Sequence, residues 1–306
     1  MERLTLLLPK GAPSVREERT GPPLPRVNYW NWLITAGIVL FVFYSAQKTG
    51  FDPAAFIEPG NGKNIARFVK GLWPPDTSAD FLRTTGTLIW ETVLISVVGT
   101  AMALVFAFPL AVLAMRARGE EFTRAAGRNG VWMVRWAGYY TARFLLNLFR
   151  GIPELMWALI FVVAVGLGPF PGVLALAAHS TGVLGKLYAE LFESVDQRLV
   201  ETARATGAGE MAVLAYVRIP VTLPVLLSYT LFRWECNMRA ATVLGFVGAG
   251  GIGAQLMISM KLFAYPEVMT LILEILMLVV IVDLAGQFIR TRVLDPNVRC
   301  QRGPNI

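Results

Sequence analysis

The chain has 306 residues, of which 55% are hydrophobic and 16% charged, and its mean hydropathy is +0.54. This balance excludes an ordinary soluble enzyme or binding domain and predicts an all-α integral membrane protein. The net charge of +7 comes from cations gathered in loops on one side of the apolar stretches. It therefore reports membrane topology, and no nucleic-acid partner is expected.

In chain order, residues 1–28 are polar and proline-rich and predict a cytoplasmic tail. No small-residue cleavage site follows the first apolar run, so a cleavable signal peptide is not expected. A helix crosses the hydrocarbon core in about 20 residues. Stretches long enough fall at roughly 29–47, 86–115, 152–168, 172–194, 222–246 and 266–289, which gives about six transmembrane helices. The second exceeds what a perpendicular crossing needs and should tilt or bend near Pro109. Residues 48–84 form the one sizeable outer loop. Within it Ile65, Phe68, Val69 and Leu72 have helical spacing and predict a short helix on the membrane surface.

From Gly130 to Arg150 the chain interleaves tryptophan, tyrosine and leucine with Arg135, Arg143 and Arg150. Three arginines at depth would be costly, so this stretch reads as an interfacial helix. Pro153, in the R-G-I-P-E run from Arg150 to Glu154, sits where a following helix can start without losing a hydrogen bond. Nineteen basic residues lie before Trp30, in 116–150, in 198–218 and from Arg290 onward. Six lie on the other side: Lys48, Lys63, Arg67, Lys70, Arg83 and Lys261. Positively charged loops stay in the cytoplasm, which puts both termini, the tail at 291–306 and the loop at 195–221 there.

Two glycine motifs carry no nucleotide chemistry. Gly248, Gly250 and Gly253 match G-x-G-x-x-G, with Glu274 about 20 residues on, but the motif lies between membrane helices and not after a strand. In Thr181–Leu187, T-G-V-L-G-K-L, Ser180 stands where a phosphate loop needs its first glycine, and Leu187 where Ser or Thr must reach magnesium. Cys236 and Cys300 are too far apart in topology to pair, and they indicate neither a disulfide nor a metal site.

Ionisable groups in spans cost roughly 2.5–3.5 kcal/mol each and need a partner or a task. Arg233, Glu235, Asn237 and Arg239 fall within seven residues, with Arg233/Asn237 and Glu235/Arg239 each four apart on shared faces. A guanidinium fork suits a compact oxyanion. The other reading is that Glu235 and Arg239 pair to brace the bundle. His179, beside Ser180, is either a packed, hydrogen-bonded residue or a member of the same polar path. Lys186 and Glu190 are four apart and are expected to pair or snorkel. Glu274 and Asp283 lie in the last span without a firm assignment, Asp283 near its cytoplasmic end.

The loop from Glu201 to Pro220 reads as a docking surface. Glu201 with small Ala203 and Ala205 makes a thin helix, Gly207 allows a break, and Pro220 resets the chain before it re-enters lipid. The run resembles the E-A-A, three residues, G, nine residues, I-x-L-P signature of ABC-importer permeases. Glu201, Thr202, Ala203, Gly207, Val217, Ile219 and Pro220 stand at the matching positions, with Thr202 for the first alanine and Val217 and Ile219 for the usual Ile and Leu.

The runs Gly166–Leu187 and Arg233–Gly253 narrow this. They resemble the permease of phosphonate importers, including phosphite and hypophosphite relatives, over roughly residues 84–290. The resemblance implies a type I ABC-importer (MetI-like) permease core, here at 85–290, in the bacterial inner membrane. It implies a homodimer, two ABC ATPase subunits that bind ATP and Mg, and a periplasmic substrate-binding protein. The chain itself would hold no cofactor and would be no enzyme. Arg233, Glu235, Asn237, Arg239, His179 and Ser180 would line the substrate path. Phe246, Val247, Gly248, Gly250, Gly251 and Gly253 would form a side-chain-poor gate where backbones approach closely, the alternative being a flexible outer hairpin. Another small anion or an amino acid is the alternative cargo.

Overall fold

The computed structural model describes residues 29–51, 59–115 and 129–301. The tail at 1–28, the basic stretch 116–128, the side chain of Arg135, and Cys300 with the side chains from 293 onward lie outside the described residues. Every regular element among the described residues is helical.

The chain divides into two compact units, one ending at Asn64 and one beginning at Ile65. The first contains α1 (Tyr29–Lys48), a 20-residue helix long enough to cross a bilayer. The helix predicted from Ile65, Phe68 and Val69 is the second half of α2 (Pro59–Gly71). In the second unit Phe68 packs edge-on against Tyr265 at 5.3 Å, and Gly71 lies so close to that ring that a Cβ there would come within 2.7 Å of it.

The core begins with α3 (Ala79–Ala114), six residues earlier than the expected boundary at 85, and the helix runs unbroken through Pro109. It pairs most extensively with α6 (Pro169–Glu193). The reason is a stripe of small residues, Gly99, Ala103, Ala107 and Ala111, one every four positions, which are all buried. A Cβ on Gly99 would stand 2.9 Å from Leu176, and Thr181 Oγ1 donates to Ala103 O at 3.4 Å. In lipid, association of helices depends on this kind of close backbone approach.

Between them, α4 (Asn129–Gly151) and α5 (Glu154–Val165) meet at 93°. The residue before a proline avoids helical dihedrals, so Ile152 and Pro153 break the helix. The stretch 130–150 packs into the core: Ala142 and Leu146 are buried, and Gly182 and Gly185 of α6 make room for α4. The expected span at 152–168 is the second limb of this bent pair. Among the described residues four helices are long and apolar enough to cross a membrane, or five with the bent pair, against the six predicted. The difference is α6, which has 25 residues but carries Gly172, Gly182, Gly185, His179, Ser180 and Thr181. A helix enclosed by its neighbours does not need an apolar circumference.

After α7 (Gln197–Ala205) and α8 (Glu210–Val213), a π-helical turn at Leu214–Arg218 leads without a stop into α9 (Ile219–Leu244). Pro220 therefore does not reset the chain. It occupies the first turn of α9, and the wider π turn before it accommodates the missing N–H and the ring. A 3₁₀ turn (Gly245–Val247), α10 (Gly251–Lys261) and α11 (Tyr265–Gln301) complete the core. The residues at 291–301, expected as tail, continue α11.

Candidate functional site

The polar residues of α9 divide between two faces. On the first, a directed hydrogen-bond chain crosses three helices. Arg233 Nε donates to Ser180 Oγ at 3.0 Å, and Ser180 donates to Asn237 Oδ1 at 2.8 Å. Asn237 Nδ2 donates to Thr100 Oγ1 at 2.8 Å, and Thr100 donates to Ser96 O at 2.7 Å. Each hydroxyl accepts once and donates once, so the buried polar groups are satisfied in series from a single cation. Ser180 and Asn237 are fully buried.

The chain holds Arg233 by Nε only. Its terminal nitrogens make no hydrogen bond or ion pair among the described residues. Glu154 acts on it electrostatically. Glu154 also lies 3.3 Å from His179 Nε2, while His179 Nδ1 is 2.9 Å from Ile152 O. His179 thus ties α6 to the break between α4 and α5 and delivers a freed carbonyl a donor.

Glu235 and Arg239 face α11, and the expected pairing between them is not formed. Arg239 Nη2 bonds Asp283 at 3.0 Å, and the buried Glu235 carboxylate meets Arg290 at 2.9 Å. Asp283 is thereby an ion-pair partner and not simply an interfacial group. Gly286 makes the socket: a Cβ there would lie 1.7 Å from Glu235 Oε1. Two antiparallel pairs brace α9 against α11 and leave Arg233 as the α9 cation without a bonded carboxylate. Lys186 lies 3.9 Å from Glu190, as its spacing predicts.

The glycine segment is packed and not a loose hairpin. Gly248, Gly250 and Gly251 have φ of 88°, 77° and 71°, a region that favours glycine. Gly168 N donates to Gly248 O at 2.9 Å, and a Cβ on Gly172 would stand 3.0 Å from Ala249 O. A Cβ on Gly253 would stand 1.8 Å from Thr242 O. Val247 packs on the core around Ile95, Leu176 and Leu244, whereas Phe246 is exposed. The segment is also held by two α3 side chains that sequence reasoning missed. Gly251 N donates to Glu91 Oε1 at 3.1 Å, and Ile252 N donates to Thr92 Oγ1 at 3.0 Å. A carboxylate inside the apolar run 86–115 was the available signal. The T-G-V-L-G-K-L run lies wholly within α6 and forms no loop.

At the other end, α7 starts with Asp196 accepting from Arg198 N at 2.9 Å. Val200 seats it on Val195, Val213, Ala203 and Val217, while Glu201 and Thr202 are exposed. Gly207 has φ of 84° but open space around it, so its requirement is dihedral and not one of room. Ile219 packs against the core around Leu214 and Phe192. A further residue missed in the sequence, Arg218, is buried in the π turn and donates Nη1 to Phe192 O, which joins this loop to the end of α6.

Residues 122–299 match the family model described as binding-protein-dependent transport system inner membrane component. The chain is 42% identical over 220 residues to the phosphite transport system permease protein PtxC of Stutzerimonas stutzeri, covering 72% of this chain and 74% of that one. It is 35% identical to the phosphate-import permease protein PhnE of Mycolicibacterium smegmatis, covering 83% of this chain and 44% of that one. Among solved structures, an inward-facing conformation of the MetNI methionine ABC transporter aligns with a TM-score of 0.59 at 22% identity, covering 71% of this chain and 99% of that chain.

Proposed function

Because the chain belongs to the family of binding-protein-dependent transport system inner membrane components, we propose that it moves phosphite, phosphonate or a similar small phosphorus oxyanion inward by alternating access. It is a multi-pass permease subunit with the fold of type I ABC importers. Arg233 is the observation that carries the anion reading. Its guanidinium is positioned through Nε and keeps terminal donors unpaired, whereas Arg239 is neutralised by Asp283. Two parallel N–H groups on a fork match two oxygens of a phosphorus oxyanion.

The remaining machinery lies outside this chain. Two copies of the permease would assemble with two ATPase subunits carrying ATP and Mg, and a periplasmic binding protein would deliver the anion. Glu201, Thr202 and Ala203 would enter the ATPase, held by the Val200 seat and steered by Gly207, with Val217, Ile219 and Pro220 on the return. Both termini would then be cytoplasmic. Phe246, Val247, Gly248, Gly250, Gly251 and Gly253 would gate the path.

The test is ATP-dependent uptake of labelled phosphite into vesicles holding the complete complex, with methylphosphonate, phosphate and methionine as competitors. Competition by phosphorus oxyanions alone supports the proposal. Absence of phosphite uptake, with uptake of labelled methionine by the same vesicles, overturns it in favour of an amino-acid importer.

A further inference from the structure

We infer that Glu91 and Thr92 are positioning residues of transport: they latch the glycine segment in its closed packing by holding the first two N–H groups of α10. This rests on the reading of the chain as an oxyanion permease with its gate at Gly245–Gly253.

Three observations converge on the latch. The N–H groups at a helix start have no partner within the helix. Here two consecutive ones, from Gly251 and Ile252, are taken by two consecutive side chains of α3, at 3.1 and 3.0 Å. The glycines are shaped to this contact. A Cβ on Gly250 would stand 2.6 Å from Glu91 Oε1, and one on Gly251 would stand 2.5 Å from Thr92 Oγ1. The segment has positive φ on both sides of Ala249, a backbone that residues other than glycine rarely adopt. Further tethers are the bonds from Gly168 N to Gly248 O, at the turn between α5 and α6, and from Ala249 N to Leu244 O of α9.

Glu91 lies in the apolar body of α3, where a carboxylate is expensive and demands a task. Apart from the amide of Gly251, no donor is bonded to it among the described residues. The carboxylate also complements the positive end of α10. Releasing Gly251 and Ile252 breaks the segment's hydrogen bonds to α3 while α9 and α11 stay braced by Arg239–Asp283 and Glu235–Arg290. The gate can therefore move without dismantling the bundle.

The experiment measures ATP-independent downhill efflux of labelled phosphite from vesicles holding the full complex, with assembly checked by co-purification. Glu91→Ala should raise the leak about tenfold, the shift that follows from losing one hydrogen bond to a charged acceptor. Glu91→Gln keeps an acceptor for Gly251 N–H and should leak less than Glu91→Ala, whereas Glu91→Leu, which fills the same space without an acceptor, should leak like Glu91→Ala. An assembled Glu91→Ala complex that leaks no more than the wild type overturns the latch, as does Glu91→Gln leaking like Glu91→Ala. Should Glu91→Ala fail to assemble, Thr92→Val carries the same test, since it removes the acceptor for Ile252 N–H and otherwise only the bond from Thr92 Oγ1 to Leu88 O within α3; an unchanged leak overturns the proposal. Absence of phosphite transport in the wild type would instead strike the functional reading itself.

Discussion

Ser180 accepts a 3.0 Å hydrogen bond from Arg233 Nε and donates one to Asn237 Oδ1, so one buried hydroxyl fixes the pose of the cation that the proposed mechanism uses. Ser180→Ala should leave Arg233 charged but less ordered. The expected result is a rise in the KM for phosphite of at least about tenfold, since a hydrogen bond from a charged group is worth about 1.5–3 kcal/mol, with little change in kcat. Uptake kinetics on the assembled complex check this.

Asn237 joins α9 to both α6 and α3, and its loss leaves two buried hydroxyls, Ser180 and Thr100, one partner short. Asn237→Ala should destabilise the core by roughly 1–3 kcal/mol. The measurement is thermal inactivation of the detergent-solubilised complex.

Arg239 and Asp283 form a structural pair, and so does Glu235 with Arg290. Asp283→Asn should lower the yield of assembled complex, because it strips a cation of its partner. The double change Arg239→Leu with Asp283→Leu should recover assembly and much of the uptake, as replacing an ion pair by packed apolar groups often does. Gly286→Ala should resemble loss of the second pair, because its Cβ would overlap Glu235 Oε1.

The sequence made the apolar spans legible because length and hydropathy are local properties. The α4–α5 break was half legible: Pro153 announced a helix start, but the 93° turn depends on α6 receiving both limbs. The partners of Arg239 and Glu235 were not legible. They lie 44 and 55 residues away, whereas i, i+4 spacing offered a nearer and wrong pair. Pro220 misled for the same reason, since the π turn that absorbs it is visible only in three dimensions. Gly207 was legible as a turn, but its freedom from neighbours was not.

That freedom gives a prediction for the coupling loop. Gly207→Asn tolerates a left-handed conformation and should keep transport near wild type. Gly207→Val should strain the turn by roughly 1–2 kcal/mol and weaken retention of the ATPase. Glu201→Lys leaves the turn intact and should abolish uptake with the permease still inserted. Co-purification of the ATPase alongside uptake reads all three.

The most direct measurement of the central claim is phosphite uptake by the complete complex carrying Arg233→Gln or Arg233→Lys, with ATPase retention measured on the same preparation. Loss of the guanidinium should raise the KM about thirtyfold, corresponding to charged hydrogen bonds worth on the order of 2 kcal/mol, and lysine should restore only part because an ammonium lacks the planar fork. Uptake by an assembled Arg233→Gln complex with an unchanged KM would contradict the account.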